Sequence, residues 1–145
     1  MLTNAAKYAI RSTLYLATNS SEENKVGVKK IAEELDVPLA FLAKLLQQLT
    51  KNNIVSSTKG PHGGFYLSEF NGRKTVWDII GCIDGVEKFS QCFLGLPDCS
   101  NENPCSVHFL VTSFKNKMMK EFKDKDLFQM AKEMEGENEG KMFDI

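Results

Sequence analysis

Ala6, Ile10, Leu14 and Ala17 recur at helical spacing near the start of the chain, and Thr3 or Asn4 can cap them. This predicts a helix over about residues 4–18. The polar run NSSEENK then reads as a loop. In VKKIAEELDV, Ile31 and Leu35 share one face of a short helix, and Pro38 stands where the first turn of the next helix tolerates it. That helix, PLAFLAKLLQQLTKNN, carries Phe41, Leu42, Leu45, Leu46 and Leu49 as its apolar stripe and ends at Asn52-Asn53. The residue types then change. Ile54, Val55, Phe65, Tyr66 and Leu67 are strand formers, and KGPHGG between them is turn chemistry, so a hairpin with a tip of four to six residues is expected. TVWDIIGCIDG resumes a short helix. CFLGLPDCSNENPCSVH, broken by Gly95, Pro97 and Pro104, has no period. In SVHFLVTSFKNKMMKEF, Val107, Leu110, Val111, Phe114, Met118 and Phe122 line one stripe of a long helix. DLFQMAKEM reads as a last short helix, and residues 136–145 as a frayed tail.

The order helix, short helix, tight turn at Asp36-Val37, helix, glycine-tipped hairpin predicts a mostly α fold with a small β-hairpin wing. Residues 1–83 form a winged helix-turn-helix, 84–106 a Cys-rich loop, 107–135 a long helix and a C-terminal helix, all in one compact chain. A helix has the right width for the major groove, and a hairpin tip of lysine and glycine can approach phosphates closely. Candidate DNA contacts are Pro38, Ala40, Ala43, Lys44 and Gln47 on the third helix. On the wing they are Ser57, Lys59, Gly60, His62 and Gly63, with Lys7 and Lys29 as further phosphate partners. Gln48 and Lys51 also lie off the apolar stripe. Three helices and a hairpin also build protein-docking modules, so pattern alone leaves both uses open.

Charge is uneven: residues 1–74 carry ten Lys/Arg and six Asp/Glu, whereas residues 75–145 carry eight and thirteen. A basic first half suits a polyanion, and ordinary solvated charge explains the split equally well. No segment has the ~18 uncharged apolar residues of a membrane span. The start, with Lys7 and Arg11 inside its apolar pattern, makes a poor secretory signal. The expected location is cytoplasmic, where thiols stay reduced unless they bind metal or do redox work.

Three cysteines and a histidine fall within seventeen positions, as Cys92-x6-Cys99-x5-Cys105-x2-His108. Zinc sites accept a Cys3His set but usually offer closer Cys knuckles. Iron–sulfur clusters are larger and tolerate wide gaps. A disulfide, a Cys105–His108 nucleophile pair and four unrelated residues are the rivals; the pair lacks an oxyanion-hole signature, so no enzyme is expected. Cys82, within WDIIGCIDG, reads as a helix-face residue outside the site.

Taken together, LTNAAKYAIRSTLYLA, VKKIAEELDVPLAFLAKLLQQLTKNNIV, SSTKGPHGGFYL, TVWDII and the three-Cys loop resemble the IscR/NsrR-type (Rrf-type) winged-helix regulators over about residues 1–125. The resemblance implies a homodimer paired through the long helix, a palindromic double-stranded DNA operator, and an iron–sulfur cluster that senses iron–sulfur, redox or nitric oxide status. Members similar to IscR hold a 2Fe–2S cluster with three Cys and one His, which here are Cys92, Cys99, Cys105 and His108. Certain nitric oxide sensors of the family instead hold a 4Fe–4S cluster completed by a carboxylate on the first helix. This chain has no Asp or Glu before Glu22, and Lys7 stands near that place, which favours 2Fe–2S. The x6 gap is one residue longer than the commonest family spacing. A zinc-stabilised DNA-binding module is the further alternative. The usual wing arginine is Lys59, a point charge where arginine is a bidentate fork.

Overall fold

A computed structural model describes residues 1–138. Helix α1 (Asn4–Asn19) starts at Thr3, whose hydroxyl accepts from the Ala6 amide, as its sequence predicts. α2 (Val28–Leu35) ends at Asp36, which takes a left-handed conformation (φ 50°) and makes the tight turn into α3 (Leu39–Lys51). Ile31, Leu35, Leu42, Leu46 and Leu49 are fully buried, so the predicted faces of α2 and α3 do meet the core. Phe41 does not. It is 38% exposed and its ring stands edge-on to Tyr8 of α1, 5.8 Å away. It lies at the margin of the stripe, where it meets the surface of α1 rather than the core.

The wing is the antiparallel pair β1 (Ser56–Thr58) and β2 (Gly64–Tyr66), with a five-residue tip, Lys59–Gly63. A bridge from Val26 to Phe65 ties its second strand to the loop before α2. This close approach explains Gly64: its φ is +153°, and a Cβ there would come within 2.8 Å of the Val26 carbonyl oxygen. A four-residue helix that no sequence period announced, α4 (Glu69–Gly72), follows. It is held by a capping box between Ser68 and Asn71. α5 (Val76–Ile83) opens on a second capping box, Thr75 with Asp78, and packs against α1 and α3.

A 3-10 turn at Glu87–Phe89 leads into the Cys-rich loop, then α6 (His108–Asp124) and α7 (Leu127–Asn138). α7 lies along α1, burying Leu127 and Ala131 in the same core as α1, α3 and α5. The predicted tail began at residue 136, but α7 runs on to Asn138; residues 139–145 lie outside the described residues. α6 is the least embedded long helix. Phe109, Leu110 and Phe114 on it are 63%, 76% and 58% exposed. Among the described residues no helix is long and apolar enough to cross a membrane.

Candidate metal centre and nucleic-acid interface

The loop between the 3-10 turn and α6 contains little regular structure, and its turns are closed by short-range bonds. The Gly95 amide donates to the Cys92 carbonyl, Ser100 to Asn103, and His108 to Cys105. Gly95 takes φ +74°. These turns bring Cys92, Cys99 and Cys105 together, with all three sulfurs within 4.8 Å of one another and Cys92 Sγ 3.9 Å from Cys105 Sγ. Cys82 stays apart at the end of α5, as its helical setting suggested. None of the four cysteines is in a disulfide.

His108 begins α6 and stands at the rim of this trio, with Nδ1 3.2 Å from Cys99 Sγ. Its other nitrogen, Nε2, lies 2.9 Å from Oδ1 of Asn101. A carbonyl oxygen only accepts, so Nε2 carries the hydrogen and Nδ1 presents its lone pair toward the thiols. Asn101 was not singled out in the sequence, because only the loop's fold sets it beside the ring. The thiols differ in acidity. The amides of Leu96 and Leu94 bring the Cys92 thiol down to about 7. The Cys105 amide lowers Cys99, but burial and the neighbouring sulfurs of Cys92 and Cys105 outweigh it and push that thiol up.

The trio opens onto a cavity of about 460 Å³, also lined by Phe89, Gln91, His108, Val111 and Lys115. That space and a three-sulfur, one-nitrogen donor set fit an iron–sulfur cluster chemically. The sulfur spacing is close to the ~3.8 Å edge of a single tetrahedral metal site with ~2.3 Å metal–sulfur bonds. Cys92, Cys99, Cys105 and His108 would be the residues to hold a 2Fe–2S unit, which would supply redox chemistry there.

The candidate DNA-reading surface is formed by other elements, α3 and the wing. A groove of about 440 Å³ between α3 and the wing is lined by Gln47, Thr50, Lys51, Ser57, Thr58 and Lys59, among others. Of the residues chosen from sequence it gathers Gln47, Ser57 and Lys59. Lys29, Pro38, Ala40, Lys44, Gly60 and His62 do not line it but are exposed, and Ala43 and Gly63 are half-buried. Lys7 lines a different, apolar groove with Leu2, Phe122, Met130 and Met134. Gln48 is drawn away from any base edge, since its Nε2 donates to the Cys82 carbonyl at 2.9 Å. Thr50 and Thr58 also line the groove, though neither stands out by residue type.

A three-helix head with a glycine-tipped wing is the architecture of a winged-helix module. Residues 2–133 match the Rrf2 model, described as an iron-dependent transcriptional regulator, and the chain belongs to that family. It is 35% identical over 125 residues to an HTH-type transcriptional regulator of Aquifex aeolicus (strain VF5), covering 85% of each chain. It is 32% identical over 109 residues to IscR of Cronobacter sakazakii, covering 75% of this chain and 66% of that protein. Among solved structures, CymR, the global cysteine regulator of B. subtilis, superposes with a TM-score of 0.74 at 20% identity. It covers 92% of this chain and 97% of its own. T. potens IscR superposes with a TM-score of 0.69 at 24% identity, covering 94% and 90%. The resemblance drawn from the sequence motifs is thus borne out at the level of family and fold.

Proposed function

We propose that this chain is a homodimeric DNA-binding regulator whose DNA affinity follows the state of a 2Fe–2S cluster held by Cys92, Cys99, Cys105 and His108. The observation that carries the reading is a donor set of three thiols, with His108 Nδ1 beside the Cys99 sulfur, gathered in one loop of an Rrf2-family chain. When bound, such a cluster supplies an oxidisable, acid-labile centre that responds to iron–sulfur, redox or nitric oxide status. The chain's own residues do the rest. Asn101 orients the imidazole, and Gly95 lets the loop fold back. The exposed Phe109, Leu110 and Phe114 on α6 offer the apolar face for pairing with a second copy. A two-fold dimer presents two α3 helices, which fits a palindromic operator; Gln47 reads base edges, while Lys59, Lys29 and Ser57 hold phosphates. Such a regulator works in the cytoplasm.

The test is anaerobic purification. Coloured protein with iron and sulfide in equal amounts is expected, with colour lost in a H108A variant. DNA binding is tested by titrating the duplex upstream of the protein's own coding sequence at several salt concentrations. K59A should lower the salt slope by about one phosphate contact. The compact sulfur trio favours one second reading, a structural zinc ion in a DNA-binding module. Colourless protein with stoichiometric zinc would establish that reading and remove the cluster.

A further inference from the structure

Lys115 lies seven residues after His108 on α6, two turns along the same face, and both side chains line the thiol cavity. It is 8% exposed, while its neighbours Lys117 and Lys120 face solvent. Its Nζ donates to the carbonyl of Gln91, the residue before Cys92, at 2.6 Å. Among the described residues no carboxylate forms an ion pair with it.

A lysine on a half-exposed helix ordinarily extends its stem and keeps its charge in water. A buried ammonium is costly without a counter-charge, and one neutral carbonyl satisfies a proton rather than the charge. The anionic groups available in this cavity are the sulfurs of Cys92, Cys99 and Cys105 once they become thiolates. Three thiolates leave an oxidised 2Fe–2S centre with net negative charge, and an electron taken from an external reductant increases it. We infer that Lys115 is the buried counter-cation of the thiolate centre, a positioning residue that anchors the loop at Gln91 and favours the more negative state. This rests on the reading that the Cys trio and His108 hold a cluster.

The experiment compares full-length wild type with K115M and K115R, each loaded anaerobically. In K115M the cluster should pass to a chelator about tenfold faster or more, the size of effect typical for groups behind metal ligands. Its midpoint potential, titrated with dithionite and followed by visible absorbance, should become more negative. K115R should restore both toward wild type. Cluster-free K115M should melt at or above the wild-type temperature, because the uncompensated charge is gone and exposed Gln91 can bond water instead. Wild type and K115M with equal retention and equal potential would overturn the inference. A lower melting temperature of cluster-free K115M with an unchanged potential would also overturn it, by making Lys115 a structural tie alone. Should K115R fail to fold, the K115M comparison decides. Wild type that takes up no cluster overturns the function reading and this inference together.

Discussion

Replacing Asn71 should cost more than any other single polar change in the reading head. The residue is 2% exposed and joins three segments. Its Nδ2 donates to the Asn53 carbonyl at 2.9 Å, at the end of α3. Its Oδ1 accepts from the Ser56 hydroxyl of β1 at 2.7 Å, and from the Ser68 amide and hydroxyl at 2.9 and 2.7 Å. N71A removes all four bonds. A net hydrogen bond contributes ~1 kcal/mol, and a group left buried without a partner costs ~1–3 kcal/mol. The two serine hydroxyls can rotate toward water and recover part of the loss, while the Asn53 carbonyl and Ser68 amide recover less. The expected loss is therefore about 3 kcal/mol, a large share of the ~5–15 kcal/mol that holds a domain of this size folded. Urea unfolding of the cluster-free protein, followed by far-UV circular dichroism, should show a lower midpoint with the same slope. N71D keeps the acceptors but sets a carboxylate against the Asn53 carbonyl, so it should also destabilise. If N71A stays within about 0.5 kcal/mol of wild type, the range of an ordinary surface change, Asn71 is a bystander and the wing is positioned by other contacts.

Three further outcomes are expected. Because the Leu96 and Leu94 amides hold the Cys92 thiol near 7, alkylation of the cluster-free protein by iodoacetamide should show Cys92 reacting with an inflection near pH 7. It should react ahead of Cys99 and of Cys82, whose thiol burial pushes up; peptide mass spectrometry resolves the three, and an inflection for Cys92 at the ordinary 9 would refute the assignment. Burial raises the Asp84 carboxyl, but Lys88 and the Thr3 amide and hydroxyl outweigh it and hold it below the ordinary 3.8. A lowered folded value means the stabilisation is present above pH 3.8 and lost as pH falls below it, so acid unfolding should lose this step in D84N. G64A should destabilise by about 2 kcal/mol, since its Cβ meets the Val26 backbone and alanine is strained at φ +153°. Thermal unfolding checks it, and an unchanged midpoint would show that the Val26–Phe65 bridge yields freely.

Much of the head was legible because burial and period coincide there. The Ile31, Leu35, Leu42, Leu46 and Leu49 faces, the Thr3 cap and the Asn52-Asn53 end all follow from local chemistry, and the structure has them in place. Phe41 was misread since an apolar type at the edge of a stripe does not reveal which neighbour it will meet. α4 was invisible because its signal is a capping box over four residues, too short for any period. At the site, residue types alone nominated the four candidate ligands. Asn101, Gln91 and Lys115 act through contacts made across the loop and along α6, and no spacing rule links them to a cysteine.

Long-range contacts also link the Cys-rich loop to α3. Gln48 faces out of α3 but bonds the Cys82 carbonyl, and the Cys82 thiol lies 3.8 Å from the Gln48 carbonyl. These two contacts fasten the C-terminal half of the recognition helix to the end of α5. From there the chain passes Asp84, which grips Thr3 at the start of α1 and Lys88 in the 3-10 turn, and reaches Phe89, buried against Trp77 of α5. Three residues later comes Cys92. α5 also packs against α6, which carries His108 and Lys115. A rearrangement of the loop that moves Gln91 or α6 presses on α5, which holds Gln48, and on α1 through Asp84–Thr3 and Phe122. Among the described residues the wing hairpin has no comparable tie to the loop: its fastenings run to Val26, Asn71 and Ser20. On the proposed function, a change at the thiols reaches the DNA-facing helix α3 through α5, and the wing follows through its bonds to Asn71.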